Sequence, residues 1–158
     1  MIDIANSEFL LFLHCAHKSG LRYMCIGGYA VNYYGFHRHT QDLDIWIAPT
    51  EINKQAFLHT LLCMGYSENE TNGLLAEDFT QHFKCSLGTA PDLIDILTVI
   101  HQDISFDEAE SQMEIFKIDE QTQLNIVGYD FLREAKTRSD RFKDWNDIDK
   151  LDQIRNSI

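Results

Sequence analysis

The run Gly27–Ile47, GGYAVNYYGFHRHTQDLDIWI, constrains this chain more than any other stretch. Leu21–Ile26 before it reads as a short buried strand that leads straight into Gly27-Gly28. Tyr29–Tyr34 is spaced as a helix, with Ala30, Val31 and Tyr34 on one side, and Gly35 stops it. Leu43, Ile45 and Ile47 then alternate with Asp42, Asp44 and Trp46, the period of two that marks a strand. Residues i and i+2 share one face of a strand, so Asp42 and Asp44 emerge side by side while the apolar set turns to the core. Two carboxylates so placed raise one another's pKa unless a cation lies between them. The ordinary alternative is a solvent-facing strand edge, which would leave Trp46 exposed on the same face.

Two further features fit a site for phosphates and metal ions. Glycines between a strand and a helix leave backbone N–H groups unobstructed and let a phosphate approach the main chain. Taken alone, the pair is equally an ordinary turn, and its spacing matches neither a Walker loop nor a dinucleotide fingerprint. The second feature is Asp95, inside Leu93-Ile94-Asp95-Ile96-Leu97. An acid in such an apolar strand is expected to be paired or bound to metal. Asp95 is preferred as the third carboxylate of a two-metal site over Asp92, which lies at the preceding turn as a capping or solvated residue.

The remaining elements frame that stretch. Residues 7–18 place Phe9, Phe12, Leu13 and Ala16 at helical spacing, with Ser7 as a cap and Gly20 as the stop. Thr50 caps a helix running to Met64, with Leu58, Leu61 and Leu62 on one face and Gly65 closing it. Residues 67–78 read as polar loop. Phe79–Leu87 and Leu93–Ile100 read as strands around the turn Gly88–Pro91, with a weak helix and one or two strands (Met113–Ile118, Leu124–Val127) following. Tyr129–Arg138 and Phe142–Arg155 read as helices, the second with Trp145, Ile148 and Leu151 as packing residues. No linker sets the helical end apart, so residues 1–158 are expected to form a single domain that includes helices 129–155. The element order implies an α+β fold, a mixed β-sheet with flanking helices and a C-terminal helical segment.

Composition narrows the function classes. Forty-four percent apolar residues and two prolines suit a packed core rather than disorder. No apolar run approaches the ~20 residues of a membrane span, and the acidic N-terminus lacks a signal peptide's basic region, so a cytoplasmic protein without membrane contact is expected. Cys15, Cys25, Cys63 and Cys85 form no Cys-x-x-Cys pair and are expected to be free buried thiols. A net charge of −12 argues against non-specific wrapping of nucleic acid, but not against a nucleotide bound through metal ions. His37 and His39 lack partners at metal-ligand spacing and read as loop histidines.

Gly-Gly opening a helix, then Arg38-x-Thr40-x-Asp42-x-Asp44, then a lone Asp95 on a later strand resembles the nucleotidyltransferase superfamily that includes DNA polymerase β. More narrowly, the chain resembles small bacterial nucleotidyltransferase-like proteins grouped with abortive-infection toxin-type enzymes. Their C-terminal pattern is matched by Lys136, Arg141-Phe142-Lys143-Asp144 and Asp147-Ile148. The resemblance spans about residues 20 to 152, with Gly28 standing where the superfamily commonly has serine. It implies a nucleotidyltransferase-like fold and transfer of a nucleoside monophosphate from a nucleoside triphosphate, such as ATP, to an acceptor hydroxyl. Asp42, Asp44 and Asp95 would be the catalytic, metal-binding acids for two magnesium ions, with manganese as a substitute. Gly27 and Gly28 would hold the β- and γ-phosphates.

Five of the thirteen basic residues fall within 133–143: Arg133, Lys136, Arg138, Arg141 and Lys143. Lys136 and Lys143 are candidates for contacting the triphosphate; salt bridges to acids such as Asp140 and Asp144 are the alternative. Arg38 either contacts phosphate or braces the Asp-x-Asp strand, and Thr40 fixes the loop before it. The acceptor could be a small molecule such as an antibiotic, a protein side chain or an RNA end, and a homodimer mate or cognate protein partner could complete the site. The competing expectations are a nucleotide- or partner-binding protein of the same fold with weak or absent turnover, and a plain metal-binding module.

Overall fold

The computed structural model describes residues 4–139 and 141–158. Asp140, one of the acids expected to pair with the basic cluster, and residues 1–3 lie outside the described residues. Among those described, the chain forms a six-stranded mixed sheet and seven helices. The α+β expectation is met.

Strands β1 (Tyr23–Ile26) and β2 (Leu43–Ile47) are antiparallel partners in the interior of the sheet. With β3 (Lys84–Leu87), β4 (Ile94–Leu97), β5 (Glu114–Lys117) and β6 (Gln123–Ile126), the spatial order is β3-β4-β2-β1-β6-β5. β4 runs parallel to β2 and β6 parallel to β1, while β3 and β5 close the two edges in antiparallel fashion. β2 is therefore an interior strand. Leu43, Ile45 and Ile47 have no exposed surface, as the alternation predicts. Trp46 on the opposite face is also buried, its indole Nε1 donating to the Thr98 carbonyl and its ring packing edge-on against Phe106. The solvent-facing-edge alternative for the Asp42–Trp46 face is thereby removed.

Helix α1 (Ser7–Ser19) starts at Asn6 rather than Ser7. The Asn6 side chain accepts from the N–H groups of Glu8 and Phe9, and Gly20 ends the helix in the left-handed conformation. Helix α2 (Gly27–Tyr33) begins at the first glycine, two residues earlier than the apolar spacing suggests. Thr50 caps α3 (Glu51–Cys63) as expected, although Phe57 joins Leu58 and Leu61 on the buried face and Leu62 is exposed. The polar stretch after it is not loop. Ser67 and Glu70 form a reciprocal capping box that starts the short α4 (Glu68–Thr71), and a 3₁₀ turn follows at Asn72–Ala76. Helix α5 (Phe106–Glu110) precedes β5, and α6 (Tyr129–Ser139) and α7 (Phe142–Asn156) form the C-terminal pair. Ile148 and Leu151 pack as expected, whereas Trp145 is about half exposed (46%). No helix among the described residues is long and apolar enough to cross a membrane.

One expectation is overturned. Cys15 of α1 and Cys63 of α3 form a disulfide, their Cα atoms 5.6 Å apart; Cys25 and Cys85 are the free thiols. Apolar spacing placed both bonded residues on helices but carried no information about how those helices pair. The bridge closes a 48-residue separation. A loop of that size removes about 4 kcal/mol of chain entropy from the unfolded state, less any strain. Thiol titration of unfolded, non-reduced protein should therefore find two reactive thiols, and the Cys15→Ser, Cys63→Ser double variant should unfold at markedly lower denaturant. Four reactive thiols, or an unchanged midpoint, would show the staple to be absent or idle.

Candidate functional site

β2 and β4 are in register so that Asp44 lies directly beside Asp95, and β3 continues the row with Ser86 beside Asp95. Asp42 sits one residue before β2, on the same side as Asp44. These three acids line one cavity of about 370 Å³ between the sheet and the C-terminal helices. Its far wall carries Lys136, Arg141 and Lys143, with Lys84 from edge strand β3, and an apolar part is supplied by Leu97, Ile100, Phe131 and Ala135. Acids contributed by the sheet thus face cations contributed largely by the helices. Asp92 is elsewhere: its carboxylate accepts from the Asn6 side chain. This is a side-chain contact with the residue that caps α1 rather than a cap of its own, and Asp95 is the acid that meets Asp44.

Burial, followed by the neighbouring Asp95 and Asp42 charges, pushes Asp44 up to about 6, and Lys143 and Lys136 pull only partly in the other direction. The Asp44 carboxylate packs against Gly27, where a Cβ would overlap its Oδ2. Gly27 also has φ +68°, a left-handed conformation that glycine adopts without strain. Two independent constraints therefore require glycine here, and both place backbone against the carboxylate.

Gly28 is needed for another reason. A Cβ at Gly28 would overlap Thr40 Oγ1 and come within 2.8 Å of Thr40 Cβ. The hydroxyl expected from a serine at this position is displaced by the threonine of the Arg-x-Thr segment. Gly28, Thr40 and Arg38 do not line the cavity; they form the layer behind it. Arg38 grips Asp147 of α7 with both ends of its fork, Nε to Oδ1 at 2.8 Å and Nη2 to Oδ2 at 3.0 Å. It is thus the brace of its two alternatives, with Thr40 fixing the loop.

The basic cluster divides on the same grounds. Arg133 pairs with Asp152, and Arg138 with Glu134 and Asp103, on the exposed surface. Such pairs contribute about 0–1 kcal/mol. Lys136 is buried and donates to Asp144 and to Asp147, both at 2.9 Å. Burial alone would raise Asp144, but hydrogen bonds from Ser139, Lys136 and Arg141 outweigh it and hold the carboxyl at about 2. Breaking such a buried pair typically costs about 3–5 kcal/mol because a charge is stranded. Lys143 differs from the other four: it is exposed at the cavity, forms no ion pair with another described residue, and is the cation felt most strongly by Asp44. Sequence reasoning paired Lys136 with Asp144 as an alternative, but missed Asp147, Ser86, Lys84 and Arg141 as parts of the site. Only the C-terminal pattern pointed to any of them. His37 and His39 are exposed and do not line the cavity.

The residues fit a hard divalent cation in kind and charge. The donors are carboxylate oxygens, and Asp44 carries a penalty that a cation would relieve. They are not gathered into a closed cage: among the described residues no three His, Cys, Asp or Glu side chains are grouped to hold a metal ion. No family model matches the chain, and no curated protein matches it.

Two outcomes follow. The folded state keeps a proton on Asp44 up to about pH 6, whereas the unfolded chain releases it near 3.8, so stability falls as pH rises through that window. In chelator, Asp44→Asn should therefore stabilise the protein at neutral pH by roughly 2 kcal/mol, discounted for partial exposure, and the gain should vanish below about pH 4. A gain that persists at low pH would assign the effect to packing. For the turn, Gly28→Ser should lower stability by about 1–3 kcal/mol, and Thr40→Ala in the same chain should restore most of it. Full stability of Gly28→Ser alone would refute the overlap.

Proposed function

We propose that this chain is a magnesium-dependent nucleotidyltransferase of the nucleotidyltransferase-like fold, moving a nucleoside monophosphate from a nucleoside triphosphate to an acceptor hydroxyl with release of pyrophosphate. The observation that carries the reading is the in-register pair Asp44–Asp95, with Asp42 beside it, facing a wall of cations across a cavity of about 370 Å³. The resemblance of the Gly-Gly, Arg-x-Thr, Asp-x-Asp and C-terminal segments supports it.

In this reading Asp42, Asp44 and Asp95 would hold the magnesium, which when bound neutralises phosphate charge and makes the acceptor hydroxyl easier to deprotonate. The chain's own groups do the rest. Asp95 has no ion pair with a described residue and is the carboxylate placed to take the hydroxyl proton. Lys143 lines the cavity with no ion pair to a described residue and is the residue that would meet the triphosphate; Lys84 and Arg141 add positive charge around it. Lys136 already serves two carboxylates and acts mainly as the link between α6 and α7. Gly27 keeps the wall against Asp44 free of side chain. The apolar part of the cavity gives a nucleobase or acceptor a surface from which water is excluded.

That no closed carboxylate cage is formed among the described residues favours, as a second reading, a protein that binds nucleotide without turnover. Incubation with magnesium and each labelled triphosphate separates the two. Pyrophosphate release should be lost in Asp44→Ala and Asp95→Ala, and Lys143→Ala should raise KM about tenfold or more, the loss of one charge-assisted contact. Magnesium should raise the melting temperature of the wild type and not of Asp44→Asn. Triphosphate binding without pyrophosphate release in the wild type would select the binding-only reading.

A further inference from the structure

Ser86 brings a hydroxyl to the end of the row of acids. It lies on edge strand β3 directly across from Asp95, in the row Ser86–Asp95–Asp44, and its Oγ donates its proton to Asp95 Oδ1. The residue is exposed, and β3 has no strand on its outer side among the described residues. Lys84, two residues earlier on the same face, lines the cavity with Asp95. A primary hydroxyl is thus already hydrogen-bonded to the carboxylate that takes the acceptor's proton under the proposed function, and sits beside a cation at the cavity rim.

Other hydroxyls nearby are committed differently. Ser139 lines the cavity, but both acceptors within reach of its one hydroxyl proton, Asp144 Oδ2 and the Lys136 carbonyl, lie in the helical layer. Asp144 is clamped by Lys136 and Arg141, which makes it a poor proton acceptor. Thr40 is wedged against Gly28, and Thr98 is buried with its hydroxyl bonded to the Gln81 carbonyl. Among the described residues, Ser86 combines exposure, a carboxylate partner without an ion pair and a place in the row of acids.

We infer that the protein nucleotidylylates itself on Ser86. This rests on the transferase reading and names the acceptor of that same site. Ser86 Oγ attacks the α-phosphorus of the triphosphate, forming a phosphoester; the bond from the α-phosphorus to the bridging oxygen breaks, pyrophosphate leaves, and the hydroxyl proton passes to Asp95. Atoms and charge balance with no other reactant. The attached nucleotide would occupy the mouth of the cavity, so the modified protein limits its own turnover.

The test reads covalent adducts and pyrophosphate in parallel. Wild type is incubated with magnesium and each α-labelled triphosphate, then analysed by intact mass, peptide mapping and pyrophosphate assay; protein as purified is mapped in the same way. The expected result is a gain of one nucleoside monophosphate on the Ser86 peptide, absent in Ser86→Ala and Asp95→Asn and slower in Ser86→Thr. Thermal melts check that each variant folds, and the exposed position of Ser86 makes its truncation a mild one. Pyrophosphate release with no adduct, or with the adduct on another residue, overturns the assignment of Ser86 and leaves the transferase reading in place. Neither release nor adduct overturns both.

Discussion

The buried carboxylate of Asp147 is the contact on which the site's geometry depends. It has no exposed surface and is shared by Arg38, from the loop leading into β2, and Lys136, from α6. Arg38 lies 109 positions from Asp147 along the chain, and Asp147 would be stranded without its two cations. A buried charge left alone costs several kcal/mol, far more than a surface pair contributes, so the network is either complete or a liability. Completed, it fastens the C-terminal helices to the segment that carries Asp42 and Asp44. The cavity is the space those two halves enclose.

That arrangement separates charges that might otherwise cancel. Asp144 and Asp147 absorb Lys136, Arg38 and Arg141, and among the described residues Asp42, Asp44 and Asp95 have no bonded cation of their own. Asp44 shows the consequence: its carboxyl is pushed up to about 6 by burial and by its acidic neighbours. A strand of pure structural purpose would gain stability from almost any neutral residue at that position. Perturbed carboxylates in a cleft are a signature of function because they are destabilising where they stand.

Much of this was legible in the sequence, and the limits have physical causes. The period of two in Leu43–Ile47 fixed which residues face the core and which share the acids' face, because alternation is a property of the backbone itself. An acid inside an apolar strand marked Asp95 for the same reason. The pairing of β2 with β4, which sets Asp95 beside Asp44 rather than elsewhere on the sheet, is a long-range choice that local pattern does not encode. Ser86 illustrates this: a serine in a short edge strand carries no signal until its register is known. The Cys15–Cys63 bridge was missed likewise, since helical spacing says which face each cysteine is on but not which helix lies opposite. The polar run at 67–78 hid a helix start because a capping box is made of the same residue types as a loop.

The glycine pair shows how a departure from a motif can be structural in origin. Gly27 is fixed by a left-handed backbone and by the Asp44 carboxylate pressed against it. Gly28 is fixed by Thr40, whose side chain fills the volume a serine would need. Thr40 follows Arg38 by two residues, and Arg38 is committed to Asp147. The segment between α2 and β2 is thus held at one end by the ion-pair network and pressed at the other against the turn. Relaxing Gly28 to serine would push on Thr40, and through the short segment on Arg38 and Asp147. The turn lacks a side-chain hydroxyl because the brace behind it occupies the space.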